Sequence, residues 1–230
     1  MKTLVIVSHS DIQESSSQKF LKDSFPLSDA IIYHHLESIY SFDEINVKKE
    51  QELLTNYQRI IFQFPFYWYS APAMLKHWLD EVLTEGFAYG PNRFPLKGKE
   101  LGLVMTIGVS EKEYQVGGRE GFTISALTTP YQAMAKKLEM SFLKPFLIYQ
   151  FQYMDEKEKM RLLIDYQQYL MIDNSDSLKA KESWFIEQIS QLSKKDLAEN
   201  DLFVLEQIKE HIQDTRMELD EIQMYLDGQF

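Results

Sequence analysis

A strand that has to stop at a proline, followed within a few residues by a helix, constrains this chain more than any other stretch. Arg59–Gly90 reads RIIFQFPFYWYSAPAMLKHWLDEVLTEGFAYG. Arg59 to Phe64 is β-branched and aromatic, and Pro65 has no N–H to give a sheet ladder, so the strand ends there. From Ala71 the apolar spacing becomes helical. Met74, Leu75, Trp78, Leu79 and Val82 recur at steps of three and four, Pro72 suits a first turn, and Gly86 stands where a helix would stop. Met74, Trp78 and Val82 are therefore predicted core. Phe66, Tyr67, Trp68 and Tyr69 fall between the two elements, at the carboxyl end of a strand, where open α/β sheets bind ligands.

The rest of the chain repeats that pattern. Thr3–Val7 reads as a strand closed by Ser8, His9 and Ser10, and helical spacing resumes at Phe20 and Leu21 after the polar run that includes Ser15, Ser16, Ser17 and Gln18. Hydroxyls and free N–H groups at a helix start suit a phosphate, and equally suit ordinary capping. Ala30–His34 is the second predicted strand. Its adjacent His34 and His35 point to opposite faces, share no metal, and are expected at a surface or edge. Asp43–Tyr57 reads as a helix, Leu101–Ile107 as a strand, Phe122–Leu138 as a helix, Phe146–Phe151 as a strand and Glu156–Met171 as a helix. Five strands alternating with helices predict a parallel sheet covered on both faces, with the flavodoxin-like order 2-1-3-4-5.

Composition removes several classes of function. With 24 Lys and Arg against 35 Asp and Glu the formal charge is −11, and no basic cluster exists to hold nucleic acid or an anionic membrane surface. The chain has no cysteine, which excludes disulfides, thiolate metal sites and cysteine nucleophiles. No metal-ligand pattern is present. MKTLVIVSHS carries too short an apolar run for a signal peptide or a span, so a soluble cytoplasmic protein is expected.

Three loops converge on one end of such a sheet, where the strand order reverses. The first is hydroxylic, the second aromatic, and the third, Gly108–Gly121, is long and carries Tyr114, Gly117 and Gly118. A phosphate cradle beside a planar platform points to a nucleotide or flavin. The residues that carry these features resemble the flavodoxin-like NAD(P)H:quinone oxidoreductases, including general stress protein 14 and the ancillary subunits of glutathione-gated potassium efflux systems. The resemblance spans roughly Met1–Met171. Its most specific piece is PFYWYSAPAMLKHWLDEVLTEGFAYG, joined by His9 with Ser15 and Gln18 at the family's spacing and by Thr106, Ile107 and Gly108 with Tyr114 beyond. Ser10, Gln18 and Val109 stand where the family commonly has Pro, Asn and Gly.

The resemblance implies non-covalent FMN, with FAD as the alternative, and two-electron transfer from NAD(P)H to a quinone or similar small aromatic acceptor. It further implies a homodimer with the active site at the subunit boundary. His9, Ser15, Ser16, Ser17, Gln18, Pro65, Phe66, Tyr67, Trp68, Tyr69, Thr106, Ile107, Gly108, Val109 and Tyr114 would contact the flavin. Backbone N–H groups of Phe66 to Tyr69 and Ile107 to Val109 would meet its ring edge, and Tyr114 would be the catalytic residue.

Residues 174–230 exceed what that fold needs and hold thirteen acidic against six basic residues. The domain organisation expected is a flavin-binding domain over 1–173 and an acidic helical extension over 174–230. One helix, starting after Ser175 or Ser177, would turn Leu178, Phe185, Ile189 and Leu192 to one face. A second, capped near Ser193 or Asp196, runs Leu205, Ile208, Ile212, Thr215, Leu219, Ile222 and Leu226, a coiled-coil-like seam that needs a partner. A helical hairpin packed on its own domain or on the other subunit is expected, and docking on a different protein is the alternative. Two other functional classes compete with the enzyme: a regulatory ancillary subunit that docks through these helices, and a flavodoxin-type electron carrier.

Overall fold

Thr3–Val7 (β1), Ile31–His35 (β2), Arg59–Pro65 (β3) and Glu100–Ile107 (β4) form a parallel sheet in the order β2-β1-β3-β4. The computed structural model describes residues 1–42, 44–90, 94–173, 177–193 and 197–228. The fifth position of the sheet is filled in two pieces, Ser141–Phe142 (β5) and Phe146–Tyr149 (β6), both parallel to β4. The strand expected over Phe146–Phe151 therefore begins earlier, breaks near Pro145, which cannot donate to the ladder, and ends at Gln150 in a left-handed turn with φ 49°. The flavodoxin-like order 2-1-3-4-5 is the order observed.

Helices connect these strands: Ser16–Asp23 (α1), Leu36–Ile39 (α2), Val47–Thr55 (α3), Ala73–Val82 (α4), Ile124–Leu127 (α5), Thr129–Lys137 (α6) and Glu156–Met171 (α7), with short 3₁₀ turns at Glu111–Tyr114 and Phe151–Tyr153. Two helices differ from expectation. The one expected over Asp43–Tyr57 starts only at Val47, where the Asn46 side chain accepts the Lys49 N–H at 3.1 Å; Asp43 lies outside the described residues. The one expected over Phe122–Leu138 starts at its Thr123 cap and breaks at Thr128, because Pro130 has no N–H and crowds the preceding turn.

Alternation along the strands feeds two cores, one on each face of the sheet. Leu4, Ile6, Ile60, Phe62, Phe64, Leu101, Leu103 and Met105 pack with α3, α4 and α6, and their neighbours Val5, Val7, Ile61 and Val104 pack with α1 and α7. Trp78 is fully buried in the first core, with Met74 and Val82 beside it. Gly102 is required by close packing: a Cβ there would lie 2.4 Å from Tyr169 Oη and 2.5 Å from Ile61 Cδ1. Buried Arg59 ties β3 to α7, donating to Glu100 Oε2 at 2.7 Å and to the Tyr169 carbonyl at 2.6 Å.

His34 and His35 lie on β2, the edge strand, as expected, but His34 is buried rather than at the surface. Its Nε2 sits 2.9 Å from Glu50 Oε2, and the same carboxylate accepts from Tyr40 Oη at 2.6 Å and Trp78 Nε1 at 2.9 Å. His35 points the other way, as the strand period requires, with Nε2 2.8 Å from the His9 carbonyl.

The chain divides into two units, Met1–Met171 and Ile172–Phe230. In the second, Leu178–Leu192 (α8) and Glu199–Leu226 (α9) lie antiparallel, joined by Arg216 to Glu182 at 2.6 Å and Lys179 to Asp220 at 3.2 Å. Ser177 caps α8 through the Ala180 N–H. Ser193 closes α8 rather than opening α9, whose cap position is Ala198; Ser175 and Asp196 lie outside the described residues. The apolar faces are also rotated from expectation. On α8, Trp184 and Ile189 are buried and Leu178 and Leu192 exposed; on α9, Leu202, Leu205 and Ile212 are partly covered, and Ile208, Leu219, Ile222 and Leu226 are exposed. Among the described residues no helix is long and apolar enough to cross a membrane.

Candidate functional site

At the carboxyl ends of β1, β3 and β4 the chain encloses a cavity of about 370 Å³, within the range of small-molecule sites. One wall is the start of α1. Ser15 caps this helix, its Oγ accepting the Gln18 N–H at 3.3 Å and lying 3.3 Å from Ser17 Oγ, so the N–H groups of Ser16 and Ser17 and the Ser16 hydroxyl remain for a ligand. His9 completes this wall. Its Nδ1 accepts the Asp11 N–H at 3.0 Å, which leaves the ring proton on Nε2. Burial pushes the His9 pKa below its ordinary 6.5, partly offset by Glu37, so the ring is a neutral donor at pH 7.

The aromatic loop forms the second wall by an uncommon backbone. Tyr67 and Ser70 exchange N–H···O bonds of 3.0 and 2.9 Å, closing a tight turn whose central residues, Trp68 and Tyr69, both adopt positive φ, 48° and 62°. This is the geometry of a hairpin turn usually given to Asn and Gly. It presents Pro65, Phe66 and Tyr67 to the cavity and turns Trp68 into solvent, 93% exposed. The N–H groups of Phe66 and Tyr67, expected to face a ring, are already committed to the carbonyls of Thr106 and Ser70. Those of Trp68, Tyr69, Gly108 and Val109 have no backbone acceptor among the described residues.

Thr106, Ile107 and Gly108 form the floor. Behind them the long loop folds into a 3₁₀ turn, and Gly118 is packed so closely that a Cβ would lie 2.4 Å from the Glu113 carbonyl oxygen. Tyr114 is buried on this turn, its ring 6.2 Å from that of Phe66, and lies outside the cavity lining. Burial first, and then Glu120, raise its pKa. Tyr69 donates to Glu120 at 2.9 Å, a bond that raises the Tyr69 pKa. Val109 packs against the core.

The cavity thus brings together His9, Ser15, Ser16, Ser17, Pro65, Phe66, Tyr67, Thr106, Ile107 and Gly108. Gln18 is placed beneath it, fully buried, and Trp68 lines a neighbouring hollow with Ser10, Glu37 and Phe42. A fourth loop that the sequence reading omitted contributes Ile148, Gln150, Phe151 and Gln152. Its signal was the end of the last predicted strand, which by the same topological argument had to open onto the site.

Residues 1–170 match the family model described as having a flavodoxin-like fold. YrkL of Bacillus subtilis, named as an NAD(P)H oxidoreductase, is 43% identical over 169 residues, which are 72% of this chain and 97% of that protein. Among solved structures, an NADPH-quinone reductase from P. pentosaceus is 42% identical with a TM-score of 0.70, covering 74% of this chain and 98% of its own. A general stress protein 14 from Treponema denticola, solved in complex with FMN, is 31% identical with a TM-score of 0.67, again over 74% of this chain and 98% of its own.

Proposed function

The chain belongs to the family with the flavodoxin-like fold, and from that premise we propose that it is an FMN-dependent NAD(P)H oxidoreductase that reduces a quinone or similar small aromatic acceptor. The observation that carries this reading is one cavity joining a serine-rich helix start to an aromatic and glycine-bearing floor. The relatives named above support it.

The donor set fits FMN. Ser15, Ser16 and Ser17 with the first-turn N–H groups of α1 would hold the phosphate, and His9 Nε2–H adds a neutral donor. Pro65, Phe66 and Tyr67 would flank the ring, and the unengaged N–H groups of Trp68, Tyr69, Gly108 and Val109 are the donors available to its edge. When bound, the flavin supplies acceptance of a hydride from the nicotinamide and its return to the acceptor, in alternating half-reactions. The protein's part is to bind, orient and shield. Phe66, Phe151 and Ile148 exclude water from the cavity, and Tyr114 supports Phe66 from behind. Tyr69 and Glu120, hydrogen-bonded at the rim, stand where an incoming acceptor would pass. A homodimer in the cytoplasm, where NAD(P)H is supplied, completes the proposal.

The test is to add FMN or FAD to the purified chain, desalt, and record the visible spectrum before and after anaerobic NADPH or NADH and then a soluble quinone. Retained FMN absorption that bleaches and recovers supports the proposal. A chain that retains no flavin, or holds one that neither nicotinamide bleaches, overturns it. Sedimentation of the same sample reads the dimer.

A further inference from the structure

We infer that a buried chain of hydrogen bonds, Tyr166 to Gln63 to Gln18 to Thr106, fixes the Thr106 hydroxyl as a donor aimed into the cavity, so that Tyr166, remote from any ligand, is a positioning residue for the bound cofactor. The inference rests on the proposed flavin site. Tyr166 Oη donates to Gln63 Oε1 at 2.7 Å, Gln63 Nε2 donates to Gln18 Oε1 at 2.9 Å, and Gln18 Nε2 donates to Thr106 Oγ1 at 3.3 Å. Tyr166, Gln63 and Gln18 are each wholly buried, and Thr106 borders the cavity.

A chain of amides and hydroxyls of this kind has two directions, and its far end selects between them. With both amides turned over, Gln63 would donate to Tyr166, and the phenol proton would have to find another acceptor. Gln63 Oε1, at 2.7 Å, is the acceptor this phenol has, and a buried donor turned away from its acceptor is costly. Burial holds the Tyr166 pKa far above the ordinary phenol value, so that proton is always present. The phenol therefore sets Gln63, Gln63 sets Gln18, and Gln18 fills a lone pair of Thr106 Oγ1. The threonine proton is left to point away from Gln18, toward the cavity, where it meets an acceptor atom of the ligand. The same chain explains why Gln18 lies beneath the site: the longer side chain reaches across from α1 to β4.

The experiment is a double-mutant cycle on FMN affinity, measured by quenching of flavin fluorescence on the full chain, with Tyr166→Phe, Thr106→Val and the pair. Each single change is expected to weaken FMN binding about three- to tenfold, the scale of one hydrogen bond. In the Thr106→Val background Tyr166→Phe is expected to have no further effect, because there is no hydroxyl left to aim. A purely structural role for Tyr166 would instead give multiplying losses, and that result overturns the inference, as does unchanged affinity in Tyr166→Phe. Should Tyr166→Phe fold poorly, Gln63→Met breaks the chain with nearly conserved volume and carries the same expectations. Wild-type protein that binds no FMN overturns the functional reading and this inference together; additive losses with normal wild-type binding overturn the inference alone.

Discussion

Replacing Glu50 tests how this fold holds a charge inside its core. The carboxylate is fully buried on the first turn of α3 and receives His34 Nε2, Tyr40 Oη and Trp78 Nε1 at 2.6–3.1 Å. Glu50→Leu removes the acceptor and keeps much of the volume. Each buried donor left unpaired costs about 1–3 kcal/mol, with Tyr40 at the low end because it is partly exposed, so about 4 kcal/mol is expected in total. Glu50→Gln retains one oxygen for His34 and Trp78 and lets the Tyr40 hydroxyl turn to accept, so about 1–2 kcal/mol is expected. Urea unfolding followed by circular dichroism, with unchanged slope as the control, reads both values. The pH dependence provides a second check. Burial alone would raise the Glu50 pKa, but the donors from His34, Tyr40 and Trp78 outweigh it and hold the folded value below the ordinary 4.5. A depressed folded pKa means that the contribution is present above pH 4.5 and lost as pH falls through the folded value, so the gap between wild type and Glu50→Leu narrows in acid. A Leu variant losing less than about 1 kcal/mol, or a Gln variant losing as much as Leu, would refute the three-donor argument.

Other perturbations follow from the same structure. Gly118→Ala forces a Cβ against the Glu113 and Lys112 carbonyl oxygens and should displace the loop behind Phe66, costing about 2 kcal/mol and lowering retained FMN in equilibrium dialysis. Ser15→Ala removes the α1 cap and is expected to cost about 1 kcal/mol in thermal or urea unfolding while weakening FMN binding. His9 has a folded pKa below 6.5, so its stabilisation is present above pH 6.5 and lost as pH falls through the folded value; His9→Ala should flatten that acid limb of the stability profile. Residues 1–173 alone should keep flavin binding and quinone reduction within about twofold, assayed side by side with the full chain, since the family model is matched by residues 1–170 and 169 residues of this chain match 97% of the length of YrkL.

The parts of this molecule legible from sequence are those set by local periodicity. The strand order, the α4 core face and the three loops that meet at the cavity came from apolar spacing, Pro65 and the rule that ligands sit at strand ends, while His9, Thr106, Ile107 and Gly108 were named through the family resemblance. What was missed depends on partners distant in sequence. His34 reads as a surface or edge histidine, and its burial on the edge strand becomes visible only when Glu50, Tyr40 and Trp78 are brought to it from two helices and a loop. Gln18 reads as a phosphate ligand until Gln63 and Thr106 show where its amide goes. The α9 seam was misplaced because adjacent helical registers both carry apolar residues, and the Arg216 and Asp220 pairs with α8 select the other one. The left-handed turn at Trp68 and Tyr69 carries no Gly or Asn to announce it.

That turn also equips the protein with its own optical gauge. Of the three tryptophans, Trp78 and Trp184 are enclosed and Trp68 stands almost wholly in water, one residue beyond the cavity wall. Emission at long wavelength therefore arises from a single indole beside the site, while the blue component reports on the interior. A ligand settling on Tyr67 would dim or shift the first without touching the second, so occupancy and unfolding can be followed in one unlabelled sample.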